Sequence, residues 1–482
     1  MTSRLAFSGP LPPAWLLAAT LAFTAGPSLG AAPILPLTAL PKTFDVPSID
    51  AYLATQARLN SRVGFSVAIV KDGQVVLAKG YGKRSLADGR PVDTNTLFAI
   101  GSVSKQFTCA CILLLAEEGK LSVRDPVSKY YTNLTSAREI TLLDLMNHVS
   151  GYPDYYPLDF VDRRMAKAIA PDELLQHYAG GKLDFDPGTQ WSYSNTGYIL
   201  LGRVVEKVSG ESLGAFLARR LFTPLGMDHS FYELNPSDPR LATGYATFLL
   251  SPPEAVSAEA QGWLGGAGGI YSTPGDLARW DLALIGGKVL KPESYALMTT
   301  PRGLKGGKLS DYGCGLSIKT QGGRLTLSHS GAVSGFNTWN GMVPSTRSAV
   351  ILTSNLEGGY GSIPGQIFSL LLKETPNIPV IKGAGAADVA KRIFAELQKG
   401  TVNRQQFGEE FNLYLTDERI AGAARRFKGM GTPTKAEVVS THERGGMEVT
   451  MTRLTFKTGS AVRVQIYRMP NGKIEQYFVS AD

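Results

Sequence analysis

A segment that begins just after residue 100 has the apolar spacing of a helix. From Val103 onward, apolar residues stand at 103, 107, 110, 111, 114 and 115, and a repeat of three to four residues is typical of an α-helix. The other faces carry Cys109, Ile112 and Leu113, so the pattern predicts a helix that is buried on all sides. Gly119 follows the segment, and glycine there favours the left-handed cap that ends many helices.

On either side of this helix the pattern predicts strands near the ends of a large domain and helices in its middle. Residues 65–70 and 75–78 flank a polar turn at 71–74, which predicts a β-hairpin. Helices are predicted at 142–147, 171–178, 198–208, 213–220 and 274–285. Strands are predicted at 316–319, 324–328, 336–343 and 348–354. We expect strands from both ends to form one antiparallel sheet, with the helices inserted between them.

A stretch rich in Pro, Gly and Ala at residues 376–387 predicts a linker. After it, helices are predicted at 390–399, in a region that passes through residue 411, and at 419–427. Strands are predicted at 437–442, 446–456, 461–469 and 473–479. Two folded domains are therefore expected, at residues 44–375 and 388–482. The predicted fold class is α+β for both: the first combines an antiparallel sheet flanked by helices with an all-helical part, and the second is small.

The first 43 residues differ from the rest of the chain. Arg4 precedes an apolar run at 14–23 and small residues at 26–32, the pattern of a secretory signal peptide. The run is short for a bilayer span, although an uncleaved anchor is the alternative. We predict a signal peptide at 1–30, a leader at 31–43, and a periplasmic or secreted protein without stable membrane insertion after cleavage.

The composition narrows the classes of partner and cofactor. The chain has 482 residues, of which 43% are hydrophobic and 19% charged, as expected for a globular protein. Its net charge of +8 is spread without a basic cluster, so a nucleic-acid partner is not predicted. Three cysteines and five histidines show no metal-ligand spacing, so neither a disulfide framework, a metal nor a cofactor is predicted. The oligomeric state stays open.

Ser102 and Lys105 stand at the start of the predicted helix. They are three positions apart, and residues at this spacing are neighbours on a helix. An amine held close to a serine in a low-dielectric pocket can take the hydroxyl proton and make the oxygen a nucleophile. The alternative is a serine N-cap beside a solvated lysine. Two further motifs along the chain favour the catalytic interpretation.

Tyr193 and Asn195 follow a turn and precede another predicted helix. A phenol near two cations is expected to lose its proton more easily than its usual pKa of ~10 suggests. Such a group can relay protons to and from Ser102. Asn195 is expected to hold Lys105 together with a substrate carbonyl or amide.

The third motif is a strand that ends in His329, Ser330, Gly331 and Ala332. Its small residues would let a substrate backbone lie alongside the strand. The backbone N–H groups of Ala332 and Ser102 are expected to form an oxyanion hole. Taken alone, His329 would be read as a hydrogen-bonded structural residue.

Two other stretches imitate these motifs. Tyr131-Thr132-Asn133 repeats the tyrosine–asparagine spacing, and we interpret it as a solvated surface loop because nothing around it predicts a rigid geometry. Lys457-Thr458-Gly459-Ser460 lies between two predicted strands, so it is interpreted as a hairpin turn. Neither is predicted to be catalytic.

In their order along the chain, Ser102-Val103-Ser104-Lys105, Tyr193-Ser194-Asn195 and His329-Ser330-Gly331 resemble the motifs of the penicillin-recognising serine hydrolases. This group includes class C β-lactamases, DD-peptidases, D-aminopeptidases and family VIII esterases. The resemblance covers about residues 44–372, including further matches at 142–154 and 267–280. The second domain resembles the small NTF2-like domains, on the order of its helices and strands alone.

The resemblance implies a role for each motif. Ser102 would be the acylated nucleophile, and Lys105 and Tyr193 the proton-transfer pair. Asn195 would position groups, and the strand at 329–332 would face the substrate. Class C β-lactamases carry lysine where this chain has His329, and a neutral imidazole holds a carboxylate less strongly than an ammonium does. If a protonated His329 binds a substrate carboxylate, affinity for acidic substrates should fall as pH rises through its pKa.

These features predict a secreted serine hydrolase that acts on a small-molecule or peptide substrate through an acyl-enzyme. D-amino-acid peptides, such as peptidoglycan stems, are the leading substrate class. Small esters come second and β-lactams third. A penicillin-binding or sensing protein without turnover is the alternative from another class.

Overall fold

The described part of the computed structural model consists of residues 39–59, 62–156, 164–247, 251–373 and 379–482. It falls into two units. The first runs to Lys319 and resumes at Leu325–Ile367, and the second contains Thr320–Arg324 and Phe368–Asp482. The predicted signal peptide at 1–30, most of the predicted leader at 31–43 and residues 376–378 of the predicted linker lie outside the described residues. No helix within the described ranges is long and apolar enough to span a membrane.

The long strands of the first unit lie towards the two ends of its chain, and most of its helices lie between them. Its α-helices are α1 (Val46–Gln56), α2 (Ser104–Glu117), α3 (Leu142–Met146), α4 (Pro171–Tyr178), α5 (Asn195–Ser209), α6 (Leu213–Leu217), α7 (Gly265–Gly268), α8 (Pro274–Ile285), α9 (Pro292–Met298) and α10 (Ile363–Leu372), the last of which reaches into the second unit. Its strands are β1 (Gly64–Lys71), β2 (Gln74–Gly82), β3 (Phe98–Ala99), β4 (Phe231–Tyr232), β5 (Tyr245–Ala246), β6 (Glu254–Ala255), β7 (Ile270–Ser272), β8 (Ser317–Gln321), β9 (Arg324–Val333), β10 (Phe336–Val343) and β11 (Ser348–Ser354).

A six-stranded sheet joins the two ends of this unit. Its strand order is β2-β1-β11-β10-β9-β8, and β1 and β11 are antiparallel, with Phe65 opposite Ser354. The hairpin of β1 and β2 turns through Asp72 and Gly73, whose φ angles of 52° and 81° are both positive, as a tight two-residue hairpin turn requires. The expectation of one antiparallel sheet built from both ends of the domain is confirmed.

Helix α2 is the buried helix that the apolar spacing predicts. All residues from 104 to 115 are buried, and Gly119 has a φ of 68° just beyond its end. The helix is preceded by a 3-10 turn at Gly101–Val103, so Ser102 lies in that turn and the α-helix begins at Ser104. The turn bends at Gly101, whose φ of 52° is in the left-handed region.

The second unit contains helices followed by a meander of strands. Its helices are α11 (Ala386–Lys399), α12 (Glu409–Tyr414) and α13 (Asp417–Phe427), and its strands are β12 (Pro433–Arg444), β13 (Met447–Phe456), β14 (Ala461–Arg468) and β15 (Ile474–Ala481). The sheet order β12-β13-β14-β15 is sequential, and Phe394 of α11 packs on Phe456 of the sheet with ring centroids 5.4 Å apart. An α+β fold is confirmed. Helix α11 begins four residues before the predicted 390, and the likeness to NTF2-like domains stays a prediction.

The two stretches that imitate catalytic motifs have structural environments. Residues 457–460 form the exposed turn between β13 and β14, as predicted. The prediction of a solvated loop is wrong for Tyr131, which is buried. Its hydroxyl donates to Asp172 at 2.9 Å, and the Lys207 ammonium lies 3.4 Å from its ring centroid. Tyr131 is a packing residue because burying its ring outweighs solvation of its single hydroxyl.

A buried polar network ties α2 to the sheet and to α8. The Trp280 indole donates to Gln106 Oε1 at 3.0 Å, Gln106 Nε2 donates to Asn340 Oδ1 at 3.0 Å, and Asn340 Nδ2 donates to Asp281 Oδ2 at 2.7 Å. Asp281 Oδ1 is buried and has no hydrogen-bond partner among the described residues. Complete burial raises the pKa of Asp281 well above its usual range, although the bond from Asn340 opposes this.

Replacing Asp281→Asn should make the first unit more stable, increasingly so as the pH rises above about 4. The folded protein holds a proton on Asp281 that the unfolded chain releases near pH ~4, so wild-type stability falls until the pH reaches the folded pKa. For each pH unit between the two pKa values, the free energy of unfolding of the wild type falls by about 1.4 kcal/mol. Urea denaturation followed by tryptophan fluorescence at several pH values measures this effect, because no tryptophan lies in the second unit.

The exposed Asp311 offers a matched control. Asp311→Asn should leave the pH dependence of the unfolding free energy as it is in the wild type. Stability curves for Asp281→Asn and wild type that run parallel from pH 4 to pH 8 would contradict a buried neutral carboxyl at residue 281.

Candidate active site

All the predicted site residues except Gly331 line or adjoin one cavity of the first unit. The cavity has a volume of about 400 Å³ and is lined by Ser102, Asp154, Tyr155, Tyr156, Trp191, Tyr193, Asn195, Leu264, Ala267, Gly268, His329, Ser330, Ala332 and Val333. Lys105 is buried beside it. A larger cavity of about 670 Å³ is lined by none of the predicted site residues, so volume alone would point to the wrong place.

Lys105 is fully buried and makes three hydrogen bonds. Its Nζ donates to Ser102 Oγ at 3.0 Å, to Asn195 Oδ1 at 2.7 Å and to the Ala267 carbonyl oxygen at 2.8 Å. Burial lowers the pKa of Lys105 to about 7, against the opposing effect of the Asp154 charge. Burial therefore makes the neutral amine accessible near neutral pH, and this form can accept the proton of Ser102.

Tyr193 lies over the same amine. Lys105 Nζ is 4.8 Å from the Tyr193 ring centroid. The prediction that neighbouring cations make Tyr193 easier to ionise is wrong, because burial raises its pKa above the ordinary value, and a hydrogen bond with Ser102 offsets this only in part. At neutral pH Tyr193 is a phenol with a proton to donate, placed against the serine oxygen.

His329 is held as a neutral imidazole. Its Nδ1 lies 2.5 Å from the Ser330 carbonyl oxygen, which can only accept, so Nδ1 carries the hydrogen. Its Nε2 then accepts from the Tyr312 hydroxyl at 2.8 Å. Burial, reinforced by Lys105, lowers the pKa of His329 to about 3. The hypothesis that a protonated His329 holds a substrate carboxylate near neutral pH is therefore wrong.

Asn195 begins helix α5 and is oriented from both sides. Its Oδ1 accepts from Lys105, while its Nδ2 donates to both carboxylate oxygens of Asp154 at 3.1 and 3.2 Å. The backbone N–H of Asn195 also donates to Asp154 Oδ1 at 3.0 Å. The expected contact between Asn195 and Lys105 is present, and a carboxylate supports it from behind.

The strand that carries His329 runs against the turn that carries Ser102. A Cβ atom added to Gly331 would lie 1.9 Å from the Ile100 carbonyl oxygen, and one added to Gly101 would lie 2.8 Å from the Ala332 nitrogen. Glycine at both positions permits this close approach. It brings the backbones of Ser102 and Ala332 to one cavity, as an oxyanion hole formed by their N–H groups requires.

Three residues without a predicted role complete the site: Asp154, His148 and Tyr312. His148 has a φ of 59°, its Nδ1 accepts from the Ser194 N–H at 3.1 Å, and its ring centroid is 4.3 Å from that of Tyr193. His148 and Asp154 lie in the stretch at 142–154 that resembles the family, and this resemblance could have pointed to both residues. Nothing in the sequence distinguished Tyr312 from other tyrosines.

The described residues offer no metal-binding group. No three His, Cys, Asp or Glu side chains within the described ranges are placed to hold a metal ion. Cys109, Cys111 and Cys314 are buried free thiols. At the cavity, the Ser102 hydroxyl, the Lys105 amine and the Tyr193 phenol lie together, with Asp154 and His329 also in the lining.

Comparison with known proteins agrees with this chemistry. A family profile described as Beta-lactamase matches residues 49–366. The Bacillus subtilis (strain 168) protein PbpX, named as a penicillin-binding protein, is 32% identical over 325 residues, which are 65% of this chain and 76% of PbpX. A D-aminopeptidase of Brucella anthropi is 28% identical over 336 residues, which are 68% of this chain and 63% of that enzyme.

The structure of this chain is also similar to that of a known penicillin-binding protein. The penicillin-binding protein from Bacillus halodurans superposes with a TM-score of 0.58 and 27% identity, covering 63% of this chain and 95% of that one. The family match covers most of the first unit, including all three motifs. The chain is therefore a serine hydrolase of the beta-lactamase family.

Proposed function

We propose that the protein hydrolyses amide or peptide bonds formed by D-amino acids, through an acyl-enzyme on Ser102. The observation that carries the proposal is the buried Lys105 amine, 3.0 Å from Ser102 Oγ with a pKa lowered to about 7. It supplies a base at neutral pH beside the only serine that starts an S-x-x-K motif. The similarity to a D-aminopeptidase supports the choice of a D-amino-acid substrate.

In the proposed reaction, neutral Lys105 takes the hydroxyl proton as Ser102 Oγ attacks the substrate carbonyl carbon. The backbone N–H groups of Ser102 and Ala332 stabilise the oxyanion. Tyr193 gives its proton to the leaving amine and regains one from Lys105, so the C–N bond breaks and the acyl-enzyme forms. Water then attacks the ester by the reverse proton path and frees Ser102.

The charge of the cavity favours a substrate with a free amino group over one with a free carboxylate. Among the described residues that line the cavity, Asp154 is the acidic one and none is Arg or Lys. His329 is neutral above a pKa of about 3, so it gives a carboxylate no counter-charge. Within the D-amino-acid class, aminopeptidase or amidase activity is therefore proposed ahead of carboxypeptidase activity.

Ester hydrolysis is the second candidate. Aromatic and aliphatic side chains, Tyr155, Tyr156, Trp191, Leu264 and Val333, form much of the cavity lining. Such a wall can accept an apolar acyl group without any charged contact. A β-lactam carries a carboxylate and is placed third, because the cavity gives a carboxylate no counter-charge.

Secretion through the signal peptide predicted at residues 1–30 fits a substrate derived from peptidoglycan.

Ser102→Ala should abolish covalent labelling by a fluorophosphonate, because the nucleophilic oxygen is gone. Intact-protein mass spectrometry measures the adduct. Ser104→Ala is the matched control: its hydroxyl accepts a hydrogen bond from the Ile270 N–H at 3.2 Å, and its loss should cost about 1 kcal/mol of stability while labelling continues. An adduct that persists on Ser102→Ala would show that another residue is the nucleophile.

The rate of ester hydrolysis should rise with pH through about 7, following deprotonation of Lys105. The base must be neutral to accept the Ser102 proton, so kcat/KM falls below the Lys105 pKa and levels off above it. p-Nitrophenyl acetate, corrected for spontaneous hydrolysis, is a suitable substrate because it has no ionisable group. A profile that is flat from pH 5 to pH 8 would rule out Lys105 as the base.

A substrate panel should separate the candidate functions. D-alanine p-nitroanilide is expected to be cleaved at least tenfold faster than its L-enantiomer and than the N-acetylated D-compound, which lacks the ammonium. A D-Ala-D-Ala peptide blocked at its amino end tests carboxypeptidase activity. Faster release of the terminal D-alanine from that peptide would refute the preference for a free amine, and cleavage of esters alone would favour the second candidate.

A further inference from the structure

Asp154 lines the cavity and also contacts the side-chain amide of Asn195. Its Oδ1 accepts from the backbone N–H groups of Asn195 at 3.0 Å and Tyr156 at 3.1 Å. The Asn195 side-chain nitrogen donates to both of its oxygens. One carboxylate thus receives four hydrogen-bond contacts, three of them from Asn195. The mechanism described above assigns Asp154 no step.

These contacts determine which end of the Asn195 amide faces Lys105. A carboxylate only accepts hydrogen bonds, so the amide must turn its NH2 group towards Asp154. Its oxygen then faces Lys105 Nζ, at 2.7 Å. With the amide rotated by half a turn, an NH2 group would meet the Lys105 ammonium and neither could accept from the other. The orientation of Asn195 is thereby assigned by its partners on both sides.

Asp154 also supplies charge to a region that otherwise has little. The groups that act on Lys105 or pack near it are Cys109, His148, Tyr193, Tyr198 and His329. Burial raises the pKa of the thiol and of both phenols and lowers the pKa of both imidazoles. All five are therefore neutral near pH 7, and the Asp154 carboxylate is the charge that acts on the Lys105 ammonium.

We propose that Asp154 is a positioning residue for acylation of Ser102: it orients the Asn195 amide towards Lys105 and sets the charge state in which the amine rests. The inference rests on the proposed function, since it assumes that Lys105 activates Ser102. Asp154 acts through Asn195 and through its field. It takes no proton from the serine.

The test compares Asp154→Asn with the wild type on p-nitrophenyl acetate, which has no charge for Asp154 to recognise. Asp154→Asn should lower kcat by roughly tenfold or more, because the new amide no longer dictates the orientation of Asn195. The pH at which kcat/KM falls on the acidic side, its acidic limb, should also move lower by roughly one pH unit, because the Lys105 ammonium loses the favourable charge of Asp154. KM should stay within about twofold.

Two further variants separate positioning from general damage. At a pH where Lys105 is neutral, the double variant Asp154→Asn/Asn195→Ala should have a kcat no lower than that of Asn195→Ala alone, since Asp154 then acts only through that amide. Asp172→Asn removes a carboxylate that binds Tyr131 and Arg203 outside the cavity, and it should leave the pH profile unchanged. Additive losses in the double variant, or an acidic limb that does not move in Asp154→Asn, would overturn the proposal.

A measurement without turnover distinguishes this inference from the proposed function. The titration of Lys105 can be followed by NMR of the ¹³Cε atoms in protein labelled at lysine, with the signal assigned by its absence in Lys105→Arg. The midpoint should be lower in Asp154→Asn than in wild type, even if no tested substrate is cleaved. If Asp154→Asn does not fold, Asp154→Glu serves instead: its midpoint should stay near the wild-type value while kcat falls. Wild-type behaviour in both respects would refute the positioning role.

Discussion

The burial of a single amine is the constraint on which this active site depends. Lys105 has no contact with solvent, so each of its three N–H groups must find an acceptor inside the protein. Those acceptors are Ser102, Asn195 and the Ala267 carbonyl, contributed by three separate segments. Satisfying the amine therefore brings the nucleophile, the amide and the wall of the cavity together.

Desolvation then decides the ionisation of the whole site. It lowers the pKa of Lys105 to about 7, keeps His329 neutral and keeps Tyr193 protonated. A base, a phenolic donor and an uncharged imidazole thus coexist at neutral pH. The Asp154 carboxylate opposes the effect of burial on Lys105 and favours the charged form of the amine.

Close backbone packing gives the site its geometry. The turn at Gly101–Val103 and strand β9 approach each other so tightly that Gly331 has no room for a side chain. Helix α2 continues from that turn and is anchored through Gln106 to Asn340 of the sheet. The serine is consequently held between closely packed backbone segments of the first unit, and a shift of the turn would clash with strand β9.

The sequence by itself predicted the fold class, the buried helix, one antiparallel sheet built from both ends of the first unit, and the candidate residues Ser102, Lys105, Tyr193 and Asn195, which the structure brings together at one cavity. These follow from local periodicity and short motif spacing, which act over a few residues. Only the tertiary structure decided the ionisation of Tyr193 and His329 and the placement of Asp154, His148 and Tyr312 around the cavity. Those properties depend on how deeply a group is buried and on partners 17 to 90 positions away, because pKa values respond to three-dimensional surroundings and local spacing does not record them.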